Sequence, residues 1–473
     1  MRTRAVLLLP LLALAFAAGC GNSGGGGGGS APDAASIVPA DALVYATVNT
    51  DTGSDQLSSA QKLIDKFPIK DKAIASLEAQ ALKKGIDLAT ILSSVGPVVD
   101  VAVLKTGATT GPVGFAKPSD EQTFDAQLKN LKHTTVDGWT VFAQTQALLD
   151  AVTSRSANLA DDATYKDALP SIPSASDAIA RVYAPGSSLS DAATAAGSSV
   201  PGGLDNLTKD SKLAWITGAL TSTDGSAANL ETHFKETSTP SSSASPVSLA
   251  DEIPSDALLA LSLSGGTIDA LPAGTEQQLG QLTKQLGVDI SSLIGILQGP
   301  VIAYVTQGTP IPEVTLAAVP PDAAGASNAI SALMTKLVLK NGGSIKKVTF
   351  SGVELNTVNV GPIALYWGAY DGKLVLTDNP SALGSLKNGP SSKLLDDSTF
   401  KDIASAAGMP DQNQGFLYVD AKDALPMIEG IATIAGANIP ADVQANLQPL
   451  KALLLYGSRD GAVETGVLNV QTN

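Results

Sequence analysis

The chain has 473 residues, of which 44% are apolar and 4% aromatic, and its 30 basic and 45 acidic residues give a formal net charge of −15. An acidic balance disfavours nucleic acids and anionic membrane surfaces, because both are bound through clusters of lysine and arginine. The apolar fraction is sufficient for a globular core, and the length predicts two or three domains.

The first 20 residues have the pattern of a bacterial lipoprotein precursor. Arg2 and Arg4 precede the apolar run AVLLLPLLALAFAA, which ends in small residues before Cys20. This order is typical of a secretory signal peptide, predicted here over residues 1–19, and not of a transmembrane helix. Its ending resembles a lipobox, which implies that Cys20 becomes the mature N-terminus and carries lipid. The alternative is an ordinary cleaved signal peptide in which the cysteine has no such role.

Residues 20–35 are predicted to form a tether. The stretch GNSGGGGGGSAPDAAS after Cys20 has no apolar periodicity, and Gly-rich sequences of this kind behave as flexible coils. Cys20 is the only cysteine of the chain, so its use as an anchor would leave the folded part without a disulfide. We therefore predict a lipid-anchored protein on the extracytoplasmic face of the cell membrane.

The stretch DTGS at residues 51–54 follows the apolar run ALVYATV and raises the question of an aspartic protease. Such an enzyme needs two carboxylates that lie close enough to share a proton. The second half of the chain has Ser264-Gly265-Gly266 at the matching position, so it supplies no partner for Asp51. We interpret the motif as the end of a strand, with Ser54 or Asp55 capping a helix that begins near Gln56.

The second half of the chain restates the first half, which predicts two tandem homologous units at 36–236 and 250–473. A Pro/Ser-rich linker at 237–249 joins them. Five matches occur in the same order, with 36–49 returning as 251–264, 85–104 as 287–306, 136–145 as 370–379, 161–169 as 396–404, and 213–227 as 453–463.

Each unit is predicted to be α+β, with a mostly antiparallel sheet and helices packed on one face. Short apolar runs such as ALVYATV and ALLALSL predict strands, whereas QLSSAQKLIDKF and TEQQLGQLTKQL have the spacing of amphipathic helices. Asp-Gly pairs between apolar runs predict hairpin turns at residues 137–138, 224–225, 371–372 and 460–461. The second sheet face is then left for solvent, the sister unit or a ligand.

The opening IVPADALVYATVNTD, the helix after it and Lys66-Phe67-Pro68 resemble the start of the bacterial family called domain of unknown function 3352. The likeness covers most of 36–473 and is strongest at 37–68. It implies a secreted or membrane-anchored protein, but the family has no established activity to carry over. The second unit departs from the pattern, since LSLSGGTIDALP lacks the position of Asp51 and the Lys-Phe-Pro ending.

The remaining polar motifs favour structural roles over chemistry. A zinc site needs three or four ligands at short spacing, and His133 and His233 stand alone, so we expect both to be exposed. Ser59 with Lys62 and Ser344 with Lys347 match a Ser-x-x-Lys pattern too short to be specific. Asp161-Asp162 and Asp396-Asp397 lack the spacing of a calcium loop and predict helix N-termini. The residues predicted to lie in the core are Trp139, Trp215, Trp367, Tyr45, Tyr183, Tyr304, Tyr418 and Tyr456.

We therefore predict no catalytic, cofactor-binding or metal-binding residues, and Cys20 as the one site, for lipidation. The expected function is that of a non-enzymatic binding or scaffold lipoprotein of the cell envelope, on the outer face of the cytoplasmic membrane. Its expected ligand is a protein or an apolar molecule, the latter in a groove along a sheet face. Its expected partners are the membrane, through the lipid, and that unidentified molecule, with no nucleic acid. The alternative is an extracytoplasmic hydrolase whose catalytic residues are dispersed in sequence.

Overall fold

A computed structural model describes residues 33–82, 87–196, 213–237, 249–265, 295–308, 311–339, 344–361, 363–434 and 436–473. Cys20, the predicted signal peptide, nearly all of the tether, most of the linker and the predicted helix TEQQLGQLTKQL lie outside these residues. The chain forms two compact units, which are Met1–Thr239 with Asp460–Thr465 and Thr472–Asn473, and Pro240–Arg459 with Gly466–Gln471. The α+β class is confirmed, since helices and antiparallel strands occur in both units.

The first unit contains one antiparallel sheet in the order β4-β5-β3-β2-β1-β6-β7-β8. Its helices are α1 (Asp55–Ile64), α2 (Lys70–Leu82), α3 (Leu88–Ser94), α4 (Glu121–Gln127), α5 (Gln146–Thr153), α6 (Ala163–Ala168) and α7 (Leu189–Ala196), and its strands are β1 (Val44–Asn49), β2 (Val98–Thr106), β3 (Thr109–Ala116), β4 (Lys132–Val136), β5 (Trp139–Ala143), β6 (Ala180–Pro185), β7 (Leu213–Thr223) and β8 (Ala227–Glu236).

Helices cover both faces of this sheet, so the prediction of helices on one face is wrong for the first unit. Ala102 and Leu104 of β2 share a core with Leu148 of α5. Val99 and Val101, which point to the opposite face, pack with Phe124 of α4. The physical reason is that β2 is apolar on both faces, and such a strand must be covered on both sides.

The second unit contains an antiparallel sheet in the order β12-β13-β14-β15-β11-β10-β9-β16-β17. Its helices are α8 (Ala323–Leu339), α9 (Ala382–Asn388), α10 (Ser398–Ala406), α11 (Ala421–Ile434) and α12 (Ala441–Leu447), and its strands are β9 (Ala257–Leu263), β10 (Val301–Thr306), β11 (Glu313–Ala318), β12 (Lys346–Phe350), β13 (Val353–Val360), β14 (Ile363–Tyr370), β15 (Lys373–Thr377), β16 (Gly415–Asp420) and β17 (Leu450–Asp460). The last strand, β18 (Val463–Thr472), has residues in both units.

Helices lie on both faces of the second sheet as well. On one face, Leu374 and Trp367 pack with Ile330 of α8. On the other face, Val375 packs in a core with Phe400 of α10. Leu374 and Val375 are neighbours in β15, and successive side chains of a strand point to opposite faces. The helices α8 and α10 therefore lie on opposite faces of the sheet.

The predicted Asp-Gly turns are confirmed. Asp137 and Gly138 separate β4 from β5 with φ of 49° and 78°, and Asp371 and Gly372 separate β14 from β15 with φ of 48° and 76°. Positive φ at both central residues is the geometry that matches the twist of paired strands, and Asp-Gly adopts it readily. Turns also begin at Asp224-Gly225 and at Gly461.

The three tryptophans and the five tyrosines expected in the core are all buried. Trp215 and Trp367 are among the largest fully buried side chains of the described residues. Each indole N–H donates a hydrogen bond, to Asp167 Oδ2 at 2.7 Å and to Ser331 Oγ at 2.8 Å respectively. Within the described part of the chain, no helix is both long and apolar enough to cross a membrane.

Candidate binding surface

The DTGS motif ends a strand and starts a helix, as predicted. Asp51 is exposed, and its Oδ1 accepts the N–H of Gly53 at 2.9 Å. Ser54 is the N-cap of α1, where its hydroxyl accepts the N–H of Leu57 at 3.3 Å. The motif therefore closes a local turn and satisfies backbone donors at the start of the helix.

We expect Ser54→Ala to destabilise α1 by about 1 kcal/mol, because the substitution removes the side-chain acceptor of the cap. Ser58→Ala is a matched control, since Ser58 is an exposed serine inside the same helix. Amide hydrogen exchange across α1 would report the difference between the two variants. Equal exchange in both variants would contradict the assigned capping role.

The other polar motifs resolve into local structure. His133 is exposed as predicted, but the prediction is wrong for His233, whose side chain is 17% exposed. Nε2 of His233 lies 3.1 Å from Glu231 Oε1, and its Nδ1 lies 3.0 Å from Thr465 Oγ1. Each ring nitrogen of His233 therefore has a polar partner.

The paired aspartates confirm the prediction of helix N-termini. Asp162 caps α6 by accepting the N–H of Tyr165, and Asp397 caps α10 by accepting the N–H of Phe400. Among the described residues, no group of three or more His, Cys, Asp or Glu could hold a metal ion.

A shallow depression of about 370 Å³ lies in the first unit beside Pro39 and Leu104. It is lined by polar and apolar groups alike, including Lys105 and Arg155. Both cations already have carboxylate partners, at 2.7 Å to Asp191 and 3.2 Å to Asp137. This depression therefore does not have the apolar lining that was predicted for a ligand groove.

An apolar surface lies in the second unit, on the sheet face that packs against α8. Leu376 of β15 packs at the edge of the α8 core and lies opposite Leu316 of β11. Directly opposed residues of antiparallel strands point to the same face, so the pairing register extends this face to β17. We call these aliphatic side chains the open face, which consists of Leu259, Leu261, Ala303, Val305, Val314, Leu316, Leu417, Val419, Leu453 and Leu455.

Within the part of the chain that the structure describes, every member of the open face is aliphatic and is either exposed or half-buried. Leu259, Val314 and Leu455 are 36%, 47% and 47% exposed, and its other members are half-buried. Because every member is aliphatic, these side chains offer a ligand no hydrogen bond and no charge. The surface can therefore hold an apolar group by burial alone, at roughly 25 cal/mol per Å² removed from water.

In the first unit, helices cover the sheet face that carries Val48 of β1 and Val99 and Val101 of β2. Val48 of β1 packs with Leu57 and Ala60 of α1, and Val99 and Val101 of β2 pack with residues of α4. Strands with apolar side chains on both faces are typical of sheets that are covered on both sides. The open face thus has the aliphatic composition that is typical of covered sheet faces, although its side chains are exposed or half-buried.

A second exposed apolar feature is α11, which packs against β9 and β16 of the same sheet. Its Ala424 is buried, whereas Ile428, Ile431 and Ile434 are 45%, 39% and 64% exposed. Isoleucines three residues apart form one stripe along a helix. Glu429 of α11 accepts a hydrogen bond from Gln444 of α12 at 2.6 Å, which ties the two helices together.

Two features of the structure were not predicted from the sequence. Asp100 is fully buried in the first unit, and its position inside the apolar run VGPVVDVAVL is the signal that could have shown it. The stripe on α11 was visible as isoleucines at three-residue spacing in ALPMIEGIATI.

The model of the family described as "Protein of unknown function (DUF3352)" matches residues 117–455. The chain belongs to this family. The match confirms the resemblance, although it begins after the motif at 37–68 on which the resemblance was strongest. The description of the DUF3352 family names no activity that could be assigned to this chain, and a search of curated proteins finds no match.

Solved structures give only distant likenesses to this DUF3352 chain. Crystal form I of TP0453 is 12% identical with a TM-score of 0.24, covering 49% of this chain and 93% of that chain. Crystal form III of TP0453 is 13% identical with a TM-score of 0.23, covering 46% and 76%. The 5-dimethylallyltryptophan synthase from Streptomyces coelicolor is 12% identical with a TM-score of 0.14, covering 48% and 85%. At these TM-scores the likenesses carry no argument about fold or function.

Proposed function

We propose that this DUF3352 protein is a non-enzymatic, lipid-anchored binding protein of the cell envelope that holds an apolar molecule on the open face. The observation that carries the proposal is a sheet face built only of aliphatic side chains, of which Leu259, Val314 and Leu455 stand exposed. Exposed contiguous apolar patches mark binding sites on soluble proteins. A hydrocarbon chain fits the chemistry, because these side chains provide no polar contact.

The non-enzymatic part of the proposal is supported by the local roles of the polar motifs that were considered for proteolysis and for calcium binding. Asp51 closes a turn, Ser54 caps α1, and Asp162 and Asp397 cap α6 and α10. Each of these side chains already serves the backbone next to it. This arrangement therefore provides no catalytic residue for the hydrolase alternative.

The anchor at Cys20 places the protein on the extracytoplasmic face of the membrane. Its support is the sequence pattern of residues 1–20, and the test of this part is independent of ligand binding. Anchoring in a membrane would bring the open face into a lipid-rich environment, where hydrocarbon chains are abundant.

We also propose that the two units arose by tandem duplication. The pairings β5-β3-β2-β1-β6-β7 have the same order and antiparallel sense as β15-β11-β10-β9-β16-β17. An isolated bridge joins Pro39 to Asn158, and another joins Pro254 to Lys393. Pro39 and Pro254 are aligned positions of the sequence repeat, which supports common descent over coincidence.

The test of ligand binding uses the full mature chain after delipidation and the neutral apolar fluorophore N-phenyl-1-naphthylamine. We expect Leu259→Glu and Leu455→Glu to weaken binding at least about tenfold, since a carboxylate in the site must be desolvated when the probe binds. Leu230→Glu is the matched control, because Leu230 is 46% exposed on β8 of the first unit. Its affinity for the fluorophore should equal that of the wild type.

Two outcomes would overturn the proposal. Absence of probe binding to the wild-type chain would mean that the open face is covered in solution. Equal loss of affinity in all three variants would place the binding site elsewhere. Circular dichroism of each variant separates lost binding from lost folding.

A further inference from the structure

A row of polar side chains crosses the sheet of the first unit where its neighbours are apolar. Asp100 of β2 lies opposite Thr47 of β1, and Thr47 lies opposite Arg181 of β6. Asp100 is 0% exposed and Thr47 is 2% exposed. A fully buried carboxyl group in a strand is costly unless it has partners, so this row requires an explanation.

The partners of this row include the segment at which the described part of the chain begins. Asp100 Oδ2 accepts the backbone N–H of Ala34 at 2.8 Å. Ala34 opens the 3-10 turn Ala34–Ser36, and Asp33 caps that turn by accepting the N–H of Ala35 at 3.2 Å. Arg181 Nη2 donates to Asp33 Oδ2 at 3.0 Å. Residues 33–35 thus contact the sheet through one carboxyl group and one guanidinium group, and Ala34 and Ala35 are also buried in the core of the first unit.

The hydrogen bonding of Asp100 is incomplete. Its Oδ1, Thr47 Oγ1 and Tyr45 Oη are buried, and none of the three forms a hydrogen bond of ordinary geometry. Burial raises the pKa of Asp100 to about 6, and the nearby Thr47 hydroxyl and the Ala34 N–H offset only part of this rise. A protonated Asp100 could donate from Oδ1 to one of the two hydroxyl oxygens while Oδ2 still accepts from Ala34.

The fold does not require this carboxyl group. Ser262 of β9 occupies the position that aligns with Thr47 in the sequence repeat. It lies opposite Ile302 of β10 and Phe416 of β16, so apolar side chains stand at the positions of Asp100 and Arg181, although Ser262 itself is polar. Since the second unit forms the same strand pairings without Asp100, the polar row has a role beyond building the sheet.

We propose that Asp100 is a proton-dependent clamp, which holds residues 33–36 against the first sheet more tightly when it is protonated than when it is ionised. The proton comes from solvent when the segment opens and exposes the carboxyl group. Release of the segment returns Asp100 to water, where the charged form is stable. The inference does not depend on the apolar ligand of the second unit.

The other ionisable groups around Asp100 are Asp33, Arg181, Tyr45 and Tyr165. The negative charge of Asp33 raises the pKa of Asp100, and Arg181 pairs with Asp33. Burial raises the pKa of Tyr45, and burial likewise raises that of Tyr165, which packs edge-to-face on Tyr45 at 6.1 Å. Both hydroxyls therefore remain neutral below pH 8.

The sign of the effect follows from the raised pKa. A carboxyl group whose pKa is higher in the docked state favours docking fully below its undocked pKa of about 4, and this contribution is lost as the pH rises through about 6. Two pH units of separation correspond to about a hundredfold change in the docking equilibrium. The clamp therefore tightens between pH 7.5 and pH 5.

The test is amide hydrogen exchange of the full chain at pH 5.0 and pH 7.5, corrected for intrinsic exchange rates. The amides of Ile37 and Val38 both donate to Ala34 O, so they report opening of the segment. We expect their opening to be about tenfold rarer at pH 5.0 in the wild-type chain, because pH 5.0 lies about one unit below the docked pKa and about one unit above the undocked pKa. The internal control is Ile253, whose amide donates to Ala250 O in the matching turn of the second unit and should show no such change.

Asp100→Asn should abolish the pH dependence, because the amide is neutral, accepts from Ala34 and can donate to Thr47 or Tyr45. Persistence of the pH dependence in this variant would overturn the proposal. Equal opening of the Ile37 and Val38 amides at the two pH values in the wild type would also overturn it. If Asp100→Asn does not fold, the wild-type chain alone decides the question. The comparison is then between the change in opening of the Ile37 and Val38 amides from pH 7.5 to pH 5.0 and the change at the Ile253 amide.

Discussion

We expect Cys20→Ser to abolish incorporation of fatty acid into the protein, the largest effect predicted for any single substitution. Cells fed an alkyne-bearing fatty acid should label the wild-type chain and leave the variant unlabelled. The chain has no other cysteine, so no second thiol can take over the role. Each buried methylene of an acyl chain contributes about 0.8 kcal/mol to membrane binding, so two or more chains make a stable anchor.

Ser23→Ala is the matched control, since it changes a neighbouring residue of the same stretch and should keep the label. Fractionation adds a second measurement when residues 1–20 are replaced by an ordinary cleavable signal peptide, which should yield a chain that is not bound to membranes. Label on the Cys20→Ser chain, or retention of the cleaved chain in washed membranes, would contradict the anchor.

Trp367→Ala should lower the free energy of unfolding of the second unit by about 3–5 kcal/mol. Trp367 is 0% exposed and packs with Leu374 and Ile330 between the sheet and α8. Its removal leaves a cavity, and Ser331 loses the indole N–H that donates to its hydroxyl at 2.8 Å. Only 4% of the chain is aromatic, so few other large side chains could fill the space.

Hydrogen exchange of the β13–β15 amides is the measurement, because it reports stability within this unit. Trp367→Phe is the control, since it keeps most of the volume and loses the hydrogen bond, and its effect should be clearly smaller. An alanine variant whose exchange matches that of the wild type would show that α8 does not depend on this contact.

The local features of the fold were predictable because their causes lie within a few residues. Asp-Gly at 137–138 forms a tight turn through its own backbone preferences, and Asp162 and Asp397 cap helices through amides three residues away. The Trp and Tyr positions followed from apolar strand patterns. His233 was predicted wrongly because its partner Thr465 lies 232 residues away in sequence.

The candidate sites were hidden for the same reason. Asp100 becomes a buried carboxyl group only because β1 and β6 set Thr47 and Arg181 beside it and because Ala34 returns to the sheet. The open face depends on five strands in register, and the sequence alone shows each of them only as an apolar run. The coverage of both sheet faces in the first unit likewise depends on where α1, α4 and α5 pack.

The sequence by itself determined the family, the α+β class, the turns and caps, and the pattern around Cys20, since each of these depends on residues that are close together in the sequence. Only the tertiary structure decided which apolar faces are covered, where Asp100 lies and what surrounds it. Exposure and desolvation are properties of distant segments brought together. A strand with two apolar faces has the same sequence pattern whether helices cover both faces or leave one face exposed to water.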